Sequence, residues 1–546
     1  MKRIIIACIY LAFSGIIFSC KKTLVEYNPS GLTAESVYST PEGFETLVNA
    51  AYTYQRWWYG KEEAYNMAET GTDLWTSATG EVYRDLTTYE NLQAGNAALA
   101  SEWRELYAAV NLCNGGINRI ADAGLTPQLR TTRESELKFL RAFYYWHIVE
   151  TWGGVHFTLE ETKGLISTAN RTPVDTFYKQ IFSDLQFAVA NLPNTQPEYG
   201  RANKPAAQAF LARMYLTRGM NAEALALAQT VIANTSYKLE ANYVDLWKMS
   251  NLKSKEVIYA VNYAVNLAVN DLINTSLNPY GHSRGSNNGH MLFLMKYDDL
   301  PGVIRDLPYG RPFNRYMPTR FFLDLYSDDD ARYEGSFMQV WLANSTSRPA
   351  GMNIGDTAVY VTKKEIDDTY EATRKYKTYD RSKVYNANGT VKDNLRYVTL
   401  SKFMDPTRPN ANEAQSARDV FVIRLSEVYL IAAEASMKLG NNATAATLIN
   451  ILRTRAAKPG RVAAMQITAA DITLDFILDE RARELAGEQL RWFDLKRTGK
   501  LLSRIQAYSP NNAIFIKPYH VLRPIPQSQI DAVTNREEFK QNEGYQ

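Results

Sequence analysis

Apolar residues recur at helical spacing over most of the first half of the chain. In "TPEGFETLVNAAYTYQRWWYG", Thr40 is placed to cap a helix, Pro41 suits its first position and Gly60 ends the run. The same period predicts helices over Ser101 to Ala123, over Arg130 to Trp152 before Gly153 and Gly154, and over Val174 to Asn191 before Pro193. Residues 61–96, rich in Thr, Gly and aromatics, read as loop.

Two later stretches share a layout. "RANKPAAQAFLARMYLTRGMNAEALALAQTVIAN" (Arg201 to Asn234) reads as two Ala-rich helices joined at "RGMN". Ala206, Ala209, Ala212 and Met214 to Leu216 face one way, and Ala222, Leu225, Ala228 and Ile232 answer from the second helix. "RLSEVYLIAAEASMKLGNNATAATLINILRTRA" (Arg424 to Ala456) does the same around "LGNN", with Leu425, Val428, Ala432 and Ala435 as its stripe. Helix, tight turn and Ala-rich helix resembles the tetratricopeptide repeat, although the repeat's Trp-Leu-Gly pattern is incomplete in both. The fold class is therefore mainly α, a tetratricopeptide-like stacked array. Between the hairpins, from about 240 to 418, the chain turns to Tyr, Asn, Pro and Gly, with strand-like pieces such as "KEVIYAVNYAV" and "VYVTKK". This reads as a large irregular insertion on the α scaffold, the kind of region that carries binding residues on a rigid frame.

The start of the chain changes the picture of where the protein works. Lys2 and Arg3 precede the apolar run "IIIACIYLAFSGIIF", too short to span a bilayer and suited to a signal peptide over residues 1–19. Ser19 and Cys20 resemble the lipobox of bacterial lipoproteins, which makes Cys20 the expected lipidation site and residues 20–40 a tether to a membrane. Residues 41–546 then form one domain, with helical repeats at about 41–235 and 419–500 around the insertion. Of the three cysteines, Cys8 leaves with the signal and Cys20 carries lipid, so Cys113 has no intrachain disulfide partner. A net charge of +3 and the lack of any long Lys/Arg run or bipartite basic tract argue against nucleic acid as a partner. With 35 tyrosines, the protein has ample means to offer stacking faces to a polar ligand.

Catalytic chemistry is thin. No phosphate-binding Gly loop, HExxH, CxxC pair or GxSxG elbow occurs. His282 and His290 have no third ligand at a metal-site spacing, and Asp328, Asp329 and Asp330 do not match a calcium loop, so a solvated turn or cap is expected there. No cofactor is assigned, and structural calcium has no supporting pattern. The most charged stretch is "ERARELAGEQLRWFDLKRTG". On a helix, Glu480, Glu484 and Glu488 share one stripe, Arg481 and Arg483 flank them, and Leu485 and Leu490 mark the apolar side. Asp494 and Arg497 lie within ion-pair reach. The pattern predicts charge pairing inside the fold, with Trp492 and Phe493 packed on the repeats, rather than a catalytic cluster.

This stretch resembles the C-terminal signature of the SusD/RagB family of outer-membrane nutrient-binding lipoproteins. "LRAFYYWHIVETWGGVHF", "RANKPAAQAFLARMYL", "VIRLSEVYLIAAEA" and "LRPIPQSQI" match that family in the same order. The resemblance implies a mostly α fold with four tetratricopeptide-like units, an insertion bearing the ligand face, and no enzymatic activity. It also implies a SusC-like TonB-dependent transporter as partner, for import of glycans or, in some members, peptides. Acidic residues often follow the lipidated Cys in such surface lipoproteins, whereas Lys21 and Lys22 stand here and the first acid is Glu26.

The family places its ligand face in the first loop and the insertion, without fixed positions. The loop "ETGTDLWTSATGEVYRDLTTY" offers Asp73, Trp75, Tyr83 and Tyr89. The insertion offers Tyr280, Arg284, Tyr309, Arg311, Tyr316 and Trp341. Trp75 and Tyr280 stand out because they sit among Gly, Thr, Ser and Asn rather than in an apolar stripe. The expected function is surface glycan binding for a transporter. Peptide cargo on the same scaffold and a lipid-anchored glycoside hydrolase are the alternatives.

Overall fold

A computed structural model describes residues 33–266 and 287–545; Cys20, Tyr280, His282 and Arg284 lie outside them. Several of the predicted helices start at side-chain caps. The Thr40 hydroxyl accepts from the Gly43 amide at 3.1 Å, and α1 (Pro41–Thr53) follows with Pro41 in its first turn. The stretch expected as loop holds a short helix, α2 (Glu62–Ala68). Asn96 caps α3 (Ala97–Arg119), Thr126 caps α4 (Pro127–Trp152), and α5 (Val174–Asn191) has the predicted bounds. Asn203 caps α6 (Lys204–Thr217), which turns into α7 (Asn221–Ile232); α8 (Leu425–Lys438) turns into α9 (Asn442–Ala456). Both turns use a glycine in the left-handed region, Gly219 at φ 73° and Gly440 at φ 81°.

From α3 to α9 each helix packs on the next, so the scaffold is one continuous stack. The step from α7 to α8 is made directly, across the whole insertion. That is possible because the neck of the insertion is tied shut. Strand β2 (Val257–Val261) pairs antiparallel with β9 (Val420–Arg424), the latter lying just ahead of α8. The sequence pattern had marked β2 but not β9. The predicted stripe of α8 is buried, as is most of the helix around it, because neighbours cover it on several sides. On α7 the covered positions are Ala224, Ala228 and Val231; the expected Ala222 is exposed.

The insertion builds a second core of its own. Strand β1 (Trp75–Ser77) from the first loop pairs antiparallel with β3 (Tyr316–Pro318). Strands β4 (Phe337–Met338) and β8 (Thr399–Leu400) pair, and β5 (Val340–Leu342), β6 (Thr357–Val361) and β7 (Lys377–Tyr379) form a small mixed sheet. Trp75, Phe293, Tyr316, Phe322 and Trp341 pack there, and Ala482 and Ala486 close it from the C-terminal side.

The carboxylate stripe joins the two cores. It runs along α10 (Leu474–Leu485) and just past its end. Arg332 of the insertion reaches both Glu480 (2.8 Å) and Glu484 (2.9 Å). Arg424 at the end of β9 reaches Glu484 (2.7 Å), Glu488 (2.7 Å) and Glu256 (2.8 Å), and Lys402 of the insertion reaches Glu488 (2.8 Å). Arg453 and Arg455 of α9 add Glu480 and Glu484 contacts from the scaffold. Burial pushes the carboxyls of Glu480 and Glu484 up, but the guanidiniums around each outweigh it and hold both far below the ordinary carboxylate range. The predicted Asp494–Arg497 pair forms at 2.8 Å within α11 (Arg491–Arg497), and Phe493 packs on Trp146 of α4 with centroids 4.9 Å apart. Asp328, Asp329 and Asp330 are paired individually with Lys364, Arg461 and Arg332.

Breaking such a network on one side leaves charge buried without a partner, at a cost of about 3–5 kcal/mol. Arg424→Met is therefore expected to lower the unfolding free energy by about that much in urea titration; a loss under about 1 kcal/mol would show that the stripe does not hold the two cores together. Because the folded carboxyls of Glu480 and Glu484 titrate below their ordinary 4.5, their stabilisation is present above that value and is lost as pH falls below it.

Candidate functional site

The first loop and the insertion meet outside β1 and β3. Their pairing continues past the strands: the Ala78 amide donates to the Arg315 carbonyl and the Gly80 amide to the Asn314 carbonyl, both at 2.8 Å. A side chain at Gly80 would put a Cβ 2.3 Å from the Phe313 carbonyl oxygen, so only glycine lets the two segments approach this closely. Burial alternates in the segment before β3, which turns through Asn314 at φ 55°: Pro312, Asn314 and Tyr316 are buried, while Arg311, Phe313 and Arg315 are partly exposed.

Those partly exposed side chains form a ledge, with Phe313 packed against the insertion core. The Arg311 guanidinium lies 5.2 Å and the Arg315 guanidinium 4.9 Å from the centre of the Phe313 ring. Arg315 is held by Glu62 at 2.8 Å and by the Gly80 carbonyl. Arg311 donates to the Asn412 carbonyl at 2.9 Å, and Arg305 donates to the side-chain oxygen of the same Asn412 at 3.1 Å. Across from them, the exposed Thr79 hydroxyl donates to the Asn394 side chain at 2.6 Å. Tyr309 borders the ledge. Its hydroxyl accepts from the Leu342 amide at 2.9 Å, beside the exposed side chain of Leu342.

Of the residues expected at a ligand face, Arg311 belongs to the ledge, and Tyr309, two residues before it, packs on Tyr297. Tyr83 is half-buried away from the ledge, its hydroxyl donating to Glu63 at 3.1 Å. Four others belong to the interior. Asp73 is enclosed by Arg491 (2.6 Å) and Arg504 (2.7 Å), which outweigh burial and keep its carboxyl below the usual range. Trp75 donates its indole N–H to Glu69 at 3.0 Å and packs on Phe293 and Phe322. Tyr316 donates to Asn66 at 2.5 Å, and Trp341 lies fully buried with its ring stacked 6.0 Å from that of Tyr297. Tyr89 is also buried, donating to the Gly71 carbonyl at 2.6 Å. Polar neighbours in sequence had marked Trp75 as exposed, but β1 is covered by the insertion, which local sequence does not reveal. Phe313, Arg315, Thr79 and Asn394 were missed. The available signal was the period-two spacing of Arg311, Phe313 and Arg315.

Acidic groups lie beneath the ledge rather than on it. Burial pushes Glu62 and Glu81 up to about 7, Glu62 against the pull of Arg315 and Glu81 against hydrogen bonds from Ser77, Thr87 and Asn66.

Stacked helix hairpins interrupted by one loop-rich insertion define an α-helical repeat scaffold with a loop-built outer face. The SusD family model matches residues 255–545, and a second family model, described as starch-binding associating with outer membrane, matches residues 34–216. The chain belongs to the SusD family. It is 25% identical to a SusD-like protein, P25, of Formosa agariphila, over 96% of each chain. It is 23% identical to the starch-binding protein SusD of Bacteroides thetaiotaomicron, over 88% of this chain and 85% of that one. Among solved structures, a laminarin-binding SusD-like protein superposes with a TM-score of 0.69 at 22% identity, over 93% of this chain and all of the other. The surface glycan-binding protein A of B. thetaiotaomicron, solved with laminarihexaose, superposes with a TM-score of 0.68 at 20% identity, over 92% and 99%.

An acid whose folded pKa is raised binds its proton where the unfolded chain has already released it, so its contribution to stability falls as pH rises from about 4.5 to about 7. Glu81→Gln mimics the protonated acid and removes this term. The variant's melting temperature, compared with the unaltered protein, is expected to rise steadily from pH 5 to pH 8; a difference that does not change with pH would contradict the assignment.

Proposed function

We infer that this chain is a lipid-anchored, non-catalytic glycan-binding protein of the outer membrane that delivers oligo- or polysaccharide to a SusC-like TonB-dependent transporter. The observation that carries this reading is the ledge. The half-buried Phe313 ring and the planar guanidiniums lying over it make an apolar and cationic patch against which the C–H side of a sugar can rest, and Arg311, Thr79 and Asn394 supply hydrogen-bonding groups around it for hydroxyls. Relatives named for starch and laminarin binding support the ligand class. Cys20 in its lipobox-like setting supports the anchor, with the ledge turned to the cell exterior. The non-catalytic part rests on the acids nearest the ledge. Glu62 is occupied by Arg315 and Glu81 by Asn66 and Thr87, below the surface rather than facing each other across it.

Affinity electrophoresis and calorimetry against starch, laminarin, xylan and mannan, with a peptide digest alongside, test the reading. Saturable binding to one glycan is expected, weakened about tenfold, or about 1.4 kcal/mol, by Phe313→Ala and by Arg311→Ala. Binding to the digest alone would replace glycan by peptide as the cargo, and release of reducing ends from a bound glycan would overturn the non-catalytic assignment.

A further inference from the structure

A cavity of about 470 Å³ opens on a different part of the molecule, built by the scaffold and the C-terminal segment rather than by the insertion. Its floor is the outer face of the first two turns of α3, where Ala97, Ala100 and Ser101 leave room that larger side chains would fill. Arg104 stands one turn further along, and Tyr83 and Glu63 form the opposite wall. The rim is the start of α13 (Gln527–Ala532), held in place by the Gln527 amide, which donates to the Ala94 carbonyl at 2.9 Å. The segment from Ser77 to Tyr83 separates this cavity from the ledge, and no ledge residue lines it.

The chemistry of the lining narrows the ligand. Its volume falls within the range of small-molecule sites, about 300–1,000 Å³. Its lining residues carry both donors and acceptors: Glu63, Tyr83, Ser101, Arg104, Gln527 and Gln529. The Tyr83 ring and the small side chains of α3 add apolar surface, which somewhat exceeds the polar surface of the lining. Charge is balanced locally, since Arg104 is paired with Glu105 at 2.6 Å and Lys61 lies near the acids on the other wall. Burial and the charge of Glu63 push the carboxyl of Glu102, buried on α3 itself, well above the ordinary carboxylate range. An anion would meet Glu63, and an apolar ligand would strand the polar lining without partners. A neutral, polyhydroxylated ligand with one flat C–H face satisfies both constraints.

We propose that this cavity is a second saccharide site, separate from the ledge, that takes a short neutral sugar of about two residues between α3, Tyr83 and the Gln527–Gln529 rim. The site rests on its own lining and not on the ledge reading, and the two are tested apart.

The probes are maltose, cellobiose, laminaribiose, xylobiose and mannobiose, titrated into the purified chain and followed by calorimetry and saturation-transfer NMR. At least one is expected to bind saturably, and to do so equally in Phe313→Ala, where the ledge is disabled. Ala100→Trp and Ala97→Trp each fill the cavity without removing a hydrogen bond. Each is expected to weaken that binding at least tenfold while leaving retention on the ledge-binding polysaccharide intact. Two substitutions guard against one failing to fold, and the melting temperature of each verifies it. No saturable disaccharide, or binding that survives both tryptophans, or binding that is lost in Phe313→Ala, would overturn the proposal. Loss of polysaccharide retention by the unaltered protein would instead overturn the ledge reading alone.

Discussion

The structure depends on three buried carboxylates in a row. Glu480, Glu484 and Glu488 receive cations from the insertion (Arg332, Lys402), from its closing strand (Arg424) and from the repeat scaffold (Arg453, Arg455). The insertion's cations come from far along the chain: Arg332 stands 152 residues before Glu484. Two hydrophobic cores could slide or rotate on each other at little cost, because apolar contact has no direction. Charge-assisted hydrogen bonds do have direction, and a buried charge left without its partner is expensive. The stripe therefore fixes where the insertion sits on the scaffold, and with it where the ledge points.

A second junction of the same kind explains why the first loop is mostly interior. Asp73 accepts from Arg491 in α11 and from Arg504 in α12 (Leu501–Tyr508), so the C-terminal helices grip the loop from below. β3 covers it from the insertion side. Trp75 is caught between these two and becomes a core residue. Only after β1 does the chain emerge, at Thr79 and Val82, and there it borders the ledge.

The abundance of tyrosine also has an interior explanation. An irregular chain leaves carbonyl oxygens that no ladder satisfies, and a buried polar group needs a partner. Tyrosine can fill apolar volume and still deliver a donor. Tyr89, Tyr144, Tyr263 and Tyr385 each donate to a backbone carbonyl, on Gly71, Ala51, Tyr59 and Pro318, at 2.5–2.6 Å. Composition that looked like a stocked binding surface is in large part the means by which loops are packed.

The sequence by itself determined the long helices, the Thr40 cap, the two Ala-rich hairpins with their turns, the loop-rich stretch between them and the pairing role of the Glu stripe. These depend on spacing within a few residues, where 3.6-residue periodicity and capping chemistry act directly. Legibility ended where the partner of a residue lies far along the chain. β9 was missed because a strand of five residues ahead of a helix carries little period of its own, and it exists through its pairing with β2. Asp73, Trp75, Tyr316 and Trp341 could not be told from surface residues, since the same polar-flanked aromatic suits a binding loop or a loop buried by another loop. The ledge at Arg311, Phe313 and Arg315, and the cavity between α3 and the Gln527–Gln529 rim, were decided only by tertiary structure. Each is made by segments more than 200 residues apart, and exposure is a property of what covers a side chain, not of the side chain itself.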